Sequence, residues 1–86
     1  MPNYTVRILP SAERDLASLD GSIQRRIAVR IDALAENPNS PGAKKLQGEK
    51  DIWRVRVGDY RVLYTIRNAE LVVLVIKIGH RREVYR

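Results

Sequence analysis

Three arginines, Arg54, Arg56 and Arg61, lie close together on either side of the dipeptide Gly58-Asp59. A glycine-led pair between two segments of alternating apolar residues is typical of a two-residue β-hairpin turn. Such a hairpin places Arg56 directly opposite Arg61, with Arg54 on the same face, because side chains alternate along a strand. We call these three residues the arginine cluster. Like charges facing each other destabilise a strand pair, so the cluster indicates a binding site for an anion such as phosphate.

A second interpretation of the arginine cluster stays open at this point. Long cationic side chains can extend separately into water and so escape mutual repulsion at little energetic cost. In that case the three arginines form only a solvated surface.

Composition favours the first interpretation. Lys and Arg number 16 against 10 Asp and Glu, a formal net charge of +6, which makes a polyanion such as RNA the expected partner. RNA carries its own nucleophile, the 2′-hydroxyl beside each phosphodiester. A protein that aligns this group and stabilises the added negative charge can cleave the chain without a metal. The expected products are a 2′,3′-cyclic phosphate, or its hydrolysed form, and a 5′-hydroxyl.

The absence of cysteine and the single histidine, His80, exclude several other classes of site. They exclude a disulfide scaffold, a thiolate nucleophile, Cys-ligated metals and a multi-histidine metal centre. We therefore expect neither a metal nor a cofactor. The longest uncharged apolar run, residues 71–76, is too short for a bilayer, and the N-terminus has no signal-peptide core. These features predict a cytoplasmic protein without membrane contact.

The length of 86 residues predicts a single domain, residues 1–86. Residues 4–9 alternate as a strand. Two helices follow, at about 12–19 and up to about 36, with Ser11 and Ser22 as N-caps.

The second half of the chain changes to the period of a β-sheet. Strands are predicted at 52–57, 60–67 and 71–78, the last buried on both faces, and the tail leaves the sheet from Gly79 onward. We expect the helices to cover the face that carries Trp53, Val55, Val57, Tyr60, Val62, Tyr64 and Ile66. The predicted fold class is α+β: a small β-α-α-β-β-β domain, an antiparallel sheet with a helical hairpin packed on one face.

The tail contains two residues that could take part in chemistry. His80 could transfer a proton near neutral pH, or it could be a surface turn residue. Tyr85 could stack on a base or hydrogen-bond the scissile phosphate, or its ring could anchor the terminus against the sheet.

Three segments carry a resemblance to a known family: Lys-Leu-Gln-Gly at 45–48, Ile-Trp-Arg-Val-Arg-Val-Gly-Asp-Tyr-Arg-Val-Leu-Tyr at 52–64, and Val-Ile-Lys-Ile-Gly-His-Arg-Arg-Glu-Val-Tyr at 75–85. With them the chain resembles the RelE branch of the RelE/ParE toxin superfamily over essentially its whole length. The resemblance implies a RelE-like fold and the toxin of a type II toxin–antitoxin pair. It also implies an mRNA interferase that cleaves translated message in the A site of the ribosomal 30S subunit.

The resemblance also implies site residues and partners. The implied catalytic residues are Arg54, Arg56, Arg61, Arg81 and Tyr85. Further basic residues that we expect to contact RNA are Lys44, Lys45, His80, Arg82 and Arg86. The implied partner is an acidic, helical antitoxin that wraps the toxin, with operator DNA contacted only through the antitoxin.

One departure from the family pattern concerns the general base. Some members have lysine where this chain has Arg54 and Arg56, and arginine does not deprotonate. Proton transfer could fall to His80, Tyr85 or Glu83, or positioning could dominate the catalysis.

Two other functions are compatible with the sequence. A ParE-type inhibitor of DNA gyrase shares the fold but needs neither the arginine cluster nor Tyr85. A small RNA- or ribosome-binding module without catalysis would share the positive charge.

Overall fold

The computed structural model describes residues 3–39, 42–46 and 51–80. The chain begins with a strand and a helical hairpin and continues with four strands, which confirms the α+β fold class. The elements are β1 (Thr5–Ile8), α1 (Pro10–Ala17), α2 (Gly21–Glu36), β2 (Lys44–Lys45), β3 (Trp53–Val57), β4 (Tyr60–Arg67), a single 3₁₀ turn (Asn68–Glu70) and β5 (Val72–His80).

Both helices begin slightly before the predicted residues. Leu9 and Asp20 occupy the N-cap positions, and neither side chain makes a capping hydrogen bond. The prediction of Ser11 and Ser22 as N-caps was wrong. Pro10 lies in the first turn of α1, where its fixed φ and missing N–H are tolerated, so the helix starts ahead of Ser11.

The five strands form one sheet in the order β1-β5-β4-β3-β2. All neighbours are antiparallel except β1 and β5, which pair in parallel with Thr5 opposite Val72 and Ile8 opposite Val75. The sheet is therefore mixed, and the prediction of a wholly antiparallel sheet was wrong in this detail. The two helices between β1 and the other strands form a connection long enough for a parallel partner, and alternation within β1 carries no information about direction.

The hydrophobic core lies between the helices and one face of the sheet, as predicted. The buried core residues of α2 are Ile27, Ile31 and Leu34, and those of β3 and β4 are Val55, Val57, Val62 and Tyr64. Trp53, Tyr60 and Ile66 are half-buried against them. Of the helices in the described residues, neither is long and apolar enough to cross a membrane.

Strand β5 contains a bulge that reverses its alternation. Leu63 lies opposite Lys77, yet the next residue, Tyr64, lies opposite Val75, so Ile76 is the extra residue. Because of this shift, Val75 and Ile78 are both buried while Lys77 is exposed. The strand lies between β1 and β4 and continues through Gly79 to His80, which pairs with Tyr60. The prediction that the chain leaves the sheet at Gly79 was therefore wrong.

A buried tyrosine links the sheet to the end of the helical hairpin. Tyr64 has no exposed surface, and its hydroxyl donates a hydrogen bond of 2.7 Å to the Pro38 carbonyl oxygen. Burial raises the pKa of Tyr64 from 10.0 to about 12, and the nearby charge of Arg30 opposes the rise. The folded state therefore binds the phenolic proton more tightly than the unfolded state does.

Removing this hydroxyl is expected to change both stability and its alkaline pH dependence. We expect Tyr64→Phe to lower the free energy of unfolding by about 1 kcal/mol below pH 10, through loss of the hydrogen bond. In the unmodified protein the raised pKa of Tyr64 adds to the free energy of unfolding. This contribution is complete below pH 10 and is lost between pH 10 and 12. This loss amounts to about 3 kcal/mol and should be missing from Tyr64→Phe.

Urea unfolding at several pH values between 8 and 12 measures both effects. Tyr4→Phe is the matched control, because the Tyr4 hydroxyl bonds Asn68 Oδ1 on the exposed surface. Equal alkaline losses in Tyr64→Phe and the unmodified protein would contradict the expectation.

Candidate functional site

The arginine cluster lies on the sheet face turned away from the helices, which we call the open face. Arg56 is directly opposite Arg61, and Arg54 is opposite Leu63, so the predicted hairpin register is confirmed. Lys44 of β2 pairs with Arg54 and lies on the same face. Neighbouring strands are about 4.8 Å apart, so four cationic side chains start from a small area of three adjacent strands.

Acidic residues do not offset this charge within the strands. None of the five described strands contains Asp or Glu. By alternation and register, Arg7, Arg67 and Lys77 occupy more distant parts of the open face. The charged side chains that the described strands place on this face are therefore all basic, and such a surface attracts a polyanion.

A buried leucine lies among the basic residues of the open face. Leu63 is only 7% exposed and is not part of the core on the helix side. Its cross-strand neighbours are Arg54 and Lys77. Leu63 thus offers an apolar surface to the methylene stems of both side chains. Arg54 is half-buried, a state that restricts the positions of its guanidinium group.

A fifth cation, Arg30 of α2, reaches the edge of this area. Together with Gly42, Lys44, Arg54 and Arg56 it lines a cavity of about 320 Å³. Within the described residues, strand β2 pairs with β3 only at Trp53 and Arg54. The Arg30 guanidinium lies 3.7 Å from the position of a Cβ on Gly42, whose φ is +92°, so a side chain there would meet both a strained backbone and Arg30.

Sequence reasoning placed Arg30 only on the polar side of a helix and did not connect it with the cluster. The sequence contains only a weak signal that Arg30 belongs to this site. Arg26 and Arg30 are four residues apart and share a helix face, but nothing in that spacing indicates which strand the face lies beside.

Two predicted RNA contacts lie on the other side of the sheet. Lys45 pairs with Trp53 and His80 pairs with Tyr60, and both partners belong to the helix-facing set. The structure therefore does not bring Lys45 or His80 to the arginine cluster. His80 is half-buried, and its ring packs edge-to-face against the Tyr60 ring with the two ring centroids 5.6 Å apart. Together with Asp15 and Ser18, His80 lines a cavity of about 300 Å³.

The other predicted site residues, Arg81, Arg82, Tyr85 and Arg86, lie outside the described residues. Their roles stay predictions.

The chemistry available on the open face is orientation and charge stabilisation. Guanidinium groups form charge-assisted, often bidentate hydrogen bonds with phosphate oxygens, and they keep their charge at any working pH. Among residues 3–39, 42–46 and 51–80, no group of three or more His, Cys, Asp or Glu side chains is arranged to hold a metal ion. A reaction that also moves a proton needs a group other than these arginines.

The sequence of this chain matches a known protein family and a known relative. Residues 6–85 match the family described as the ParE toxin of the type II toxin–antitoxin system parDE. Toxin RelG of Mycobacterium tuberculosis is 30% identical over 84 residues, which cover 96% of this chain and 97% of the relative.

Two solved structures are similar in fold and sequence. One is the RelBE2 toxin–antitoxin complex of Mycobacterium tuberculosis, with a TM-score of 0.83 and 31% identity over 92% of this chain and 99% of that chain. The other is the archaeal RelE–RelB complex of Pyrococcus horikoshii, with a TM-score of 0.82 and 30% identity over 95% and 99% of the two chains.

Proposed function

The chain belongs to the ParE toxin family of type II toxin–antitoxin systems, on the RelE branch of the RelE/ParE superfamily, and from this premise we propose that it is an endoribonuclease that cleaves translated mRNA in the ribosomal A site. The observation that carries the proposal is the convergence of Lys44, Arg54, Arg56 and Arg61 on the open face. Crowded cations of this kind are unfavourable by themselves and become favourable when a phosphate lies between them.

In the proposed reaction the scissile phosphate lies over the Arg56–Arg61 pair. The 2′-oxygen attacks the adjacent phosphorus, and the bond from phosphorus to the 5′-oxygen breaks. The products are a 2′,3′-cyclic phosphate and a 5′-hydroxyl. The guanidinium groups hold the phosphate in line and stabilise the charge that develops on its oxygens.

Two protons move in this reaction, one from the 2′-hydroxyl and one to the leaving 5′-oxygen. His80, Tyr85 and Glu83 are the candidates for these transfers, since arginine does not deprotonate. His80 would have to leave the helix-side cavity that it shares with Asp15 in order to reach the open face. No cofactor takes part in the proposed reaction.

The proposed partners follow from the relatives. The two similar solved structures are toxin–antitoxin complexes. We therefore expect this chain to bind an acidic antitoxin that masks its positive charge. Operator DNA would be contacted only through that antitoxin. We expect the protein to bind the ribosome and its mRNA in the cytoplasm.

The decisive experiment is a primer-extension map of a defined mRNA after brief induction of the protein. We expect new 5′ ends inside the translated reading frame, and none in a matched mRNA whose start codon is mutated. An intact message in cells whose growth has stopped would overturn the proposed nuclease activity.

The match to a family named for ParE keeps gyrase inhibition as a second candidate. A supercoiling assay with purified protein and gyrase separates the two activities. Inhibition of supercoiling together with an intact message would favour the gyrase inhibitor, whereas message cleavage with normal supercoiling favours the nuclease.

A further inference from the structure

The cavity of about 300 Å³ beside His80 lies between the end of α1 and the end of β5. We call it the α1 pocket. Asp15, Ser18 and Leu19 line it from the helical side, and Tyr60 and His80 line it from the sheet. Ligand sites of proteins typically combine apolar and aromatic walls with a few polar groups, and this volume is at the lower end of their range. The α1 pocket therefore has the size and the composition of a site for one small ligand.

The polar side chains that α1 and its C-terminal end contribute to the α1 pocket offer hydrogen-bond acceptors. The Asp15 carboxylate has about four acceptor positions, and the backbone N–H of Ile78 donates to one of its oxygens at 3.5 Å. The Ser18 hydroxyl donates its proton to the Asp15 carbonyl oxygen at 2.7 Å, so toward other groups it acts as an acceptor. The α1 pocket therefore favours a ligand that presents hydrogen-bond donors.

Two aromatic rings form the sheet side of the α1 pocket. Tyr60 and His80 pair with each other at the end of the β4–β5 ladder, and both are half-buried. Their ring planes meet at 81°, with the centroids 5.6 Å apart. A planar ligand that stacks on one ring meets the edge of the other. Proteins bind the unstacked bases of single-stranded RNA on tyrosine and histidine rings in this way.

The α1 pocket and the arginine cluster differ in charge. Arginine and lysine line the cavity beside the cluster, whereas the described residues that line the α1 pocket include Asp15 and neither lysine nor arginine. A carboxylate repels phosphate oxygens, so a phosphate binds at the cluster and not in the α1 pocket. A free organic cation is disfavoured by the net charge of +6. A neutral base meets neither obstacle.

One strand connects the two sites. Tyr60 lines the α1 pocket, and the next residue, Arg61, belongs to the arginine cluster. Gly79 pairs with Arg61 and also lines the α1 pocket. The two sites thus lie on opposite faces of the same end of the sheet, because neighbouring side chains alternate. An RNA strand with one phosphate on the cluster reaches the α1 pocket with a neighbouring base when it passes over this end.

The four bases differ in the donors on their base-pairing edges. Guanine has two adjacent donors, the N1–H and the N2 amino group, which match the two oxygens of one carboxylate. Adenine, cytosine and uracil each present a donor beside an acceptor. We propose that the α1 pocket binds a guanine base of single-stranded RNA, with the Asp15 carboxylate accepting both donors. RNA as the ligand rests on the proposed function, whereas base binding itself does not require cleavage.

Two oligonucleotides that differ in one amino group test this assignment. The probe is a fluorescent RNA of about five nucleotides with one guanosine among uridines, and 2′-O-methylation removes the hydroxyl that would attack the phosphate. The control oligonucleotide has inosine in place of guanosine and so lacks only the N2 amino group. We expect the full chain to bind the guanosine probe about tenfold more tightly than the inosine control, as measured by fluorescence anisotropy. Equal binding of the two would overturn the proposal without any variant.

A conservative variant locates the preference at the α1 pocket. Asp15→Asn replaces one carboxylate oxygen by an amide nitrogen and keeps an oxygen for the Ile78 N–H, and we expect the preference for guanosine to fall below about twofold. Asp32→Asn is the matched control, because it removes the same charge from an exposed position of α2 that does not line the α1 pocket. This variant should keep the preference. Retention of the preference by a folded Asp15→Asn variant would overturn the proposal.

The binding experiment and the primer-extension map fail independently. A preference for guanosine that depends on Asp15, together with an intact message, would leave the α1 pocket standing and overturn the proposed nuclease activity. Message cleavage together with equal binding of the two oligonucleotides would overturn the α1 pocket and leave the proposed nuclease activity standing.

Discussion

Replacement of Arg61 by alanine is expected to abolish growth inhibition and to lower the rate of message cleavage about 100-fold or more. Arg61 lies opposite Arg56 on β4, at the centre of the area where the proposed scissile phosphate lies. Loss of one preorganised donor to a developing oxyanion typically reduces the rate by this factor. Primer extension after induction measures cleavage, and colony counts measure growth inhibition. Arg81→Ala carries the same expectation, on the basis of the family resemblance.

Arg67→Ala is the matched control for Arg61→Ala. Both arginines belong to β4 and face the same side of the sheet, but they are six residues apart, which is about 20 Å along a strand. We expect Arg67→Ala to retain toxicity. Circular dichroism and binding to an antitoxin should show that the Arg61→Ala protein is folded. Full toxicity of a folded Arg61→Ala variant would contradict the role given to the arginine cluster.

The affinity of the purified protein for a single-stranded RNA oligonucleotide is expected to fall about 50-fold when the salt concentration rises from 50 to 200 mM. Four phosphate contacts, from Lys44, Arg54, Arg56 and Arg61, give a logarithmic slope of about −2.8 for a single strand.

Fluorescence anisotropy over a salt series measures this slope. Arg56→Gln should reduce its magnitude by about 0.7, since one phosphate contact is removed. Arg14→Gln removes the same charge from α1, which packs against the other side of the sheet, and should leave the slope unchanged. A nearly flat salt dependence in the unmodified protein would contradict a site made of phosphate contacts.

The arginine cluster was predictable because its geometry depends on local interactions. The Gly58-Asp59 turn sets the pairing of two strands that are adjacent in sequence, and alternation then places Arg54, Arg56 and Arg61 on one face. The opposite face was predictable for the same reason, because it carries the apolar side chains that must be buried.

Other parts of the site depend on contacts between distant segments. Lys45 and His80 were expected at the RNA site, yet each pairs with a residue of the helix-facing set. The position of His80 follows the extension of β5 beyond the bulge at Ile76, and a continuous apolar run does not reveal where such a bulge lies. Arg30 joins the site because α2 brings it to a cavity that Arg54 and Arg56 of β3 also line, a relation between elements far apart in sequence.

The sequence by itself determined the helical hairpin, the β3–β4 register, the buried face and the charge of the open face. These features follow from periodicity, turn chemistry and composition, which act over a few residues. Only the tertiary structure decided the parallel direction of β1, the short strand β2, the side taken by His80 and the approach of Arg30 to Arg56. Each of these depends on how separate elements pack, and packing reflects the burial of the whole apolar surface rather than the preference of any one segment.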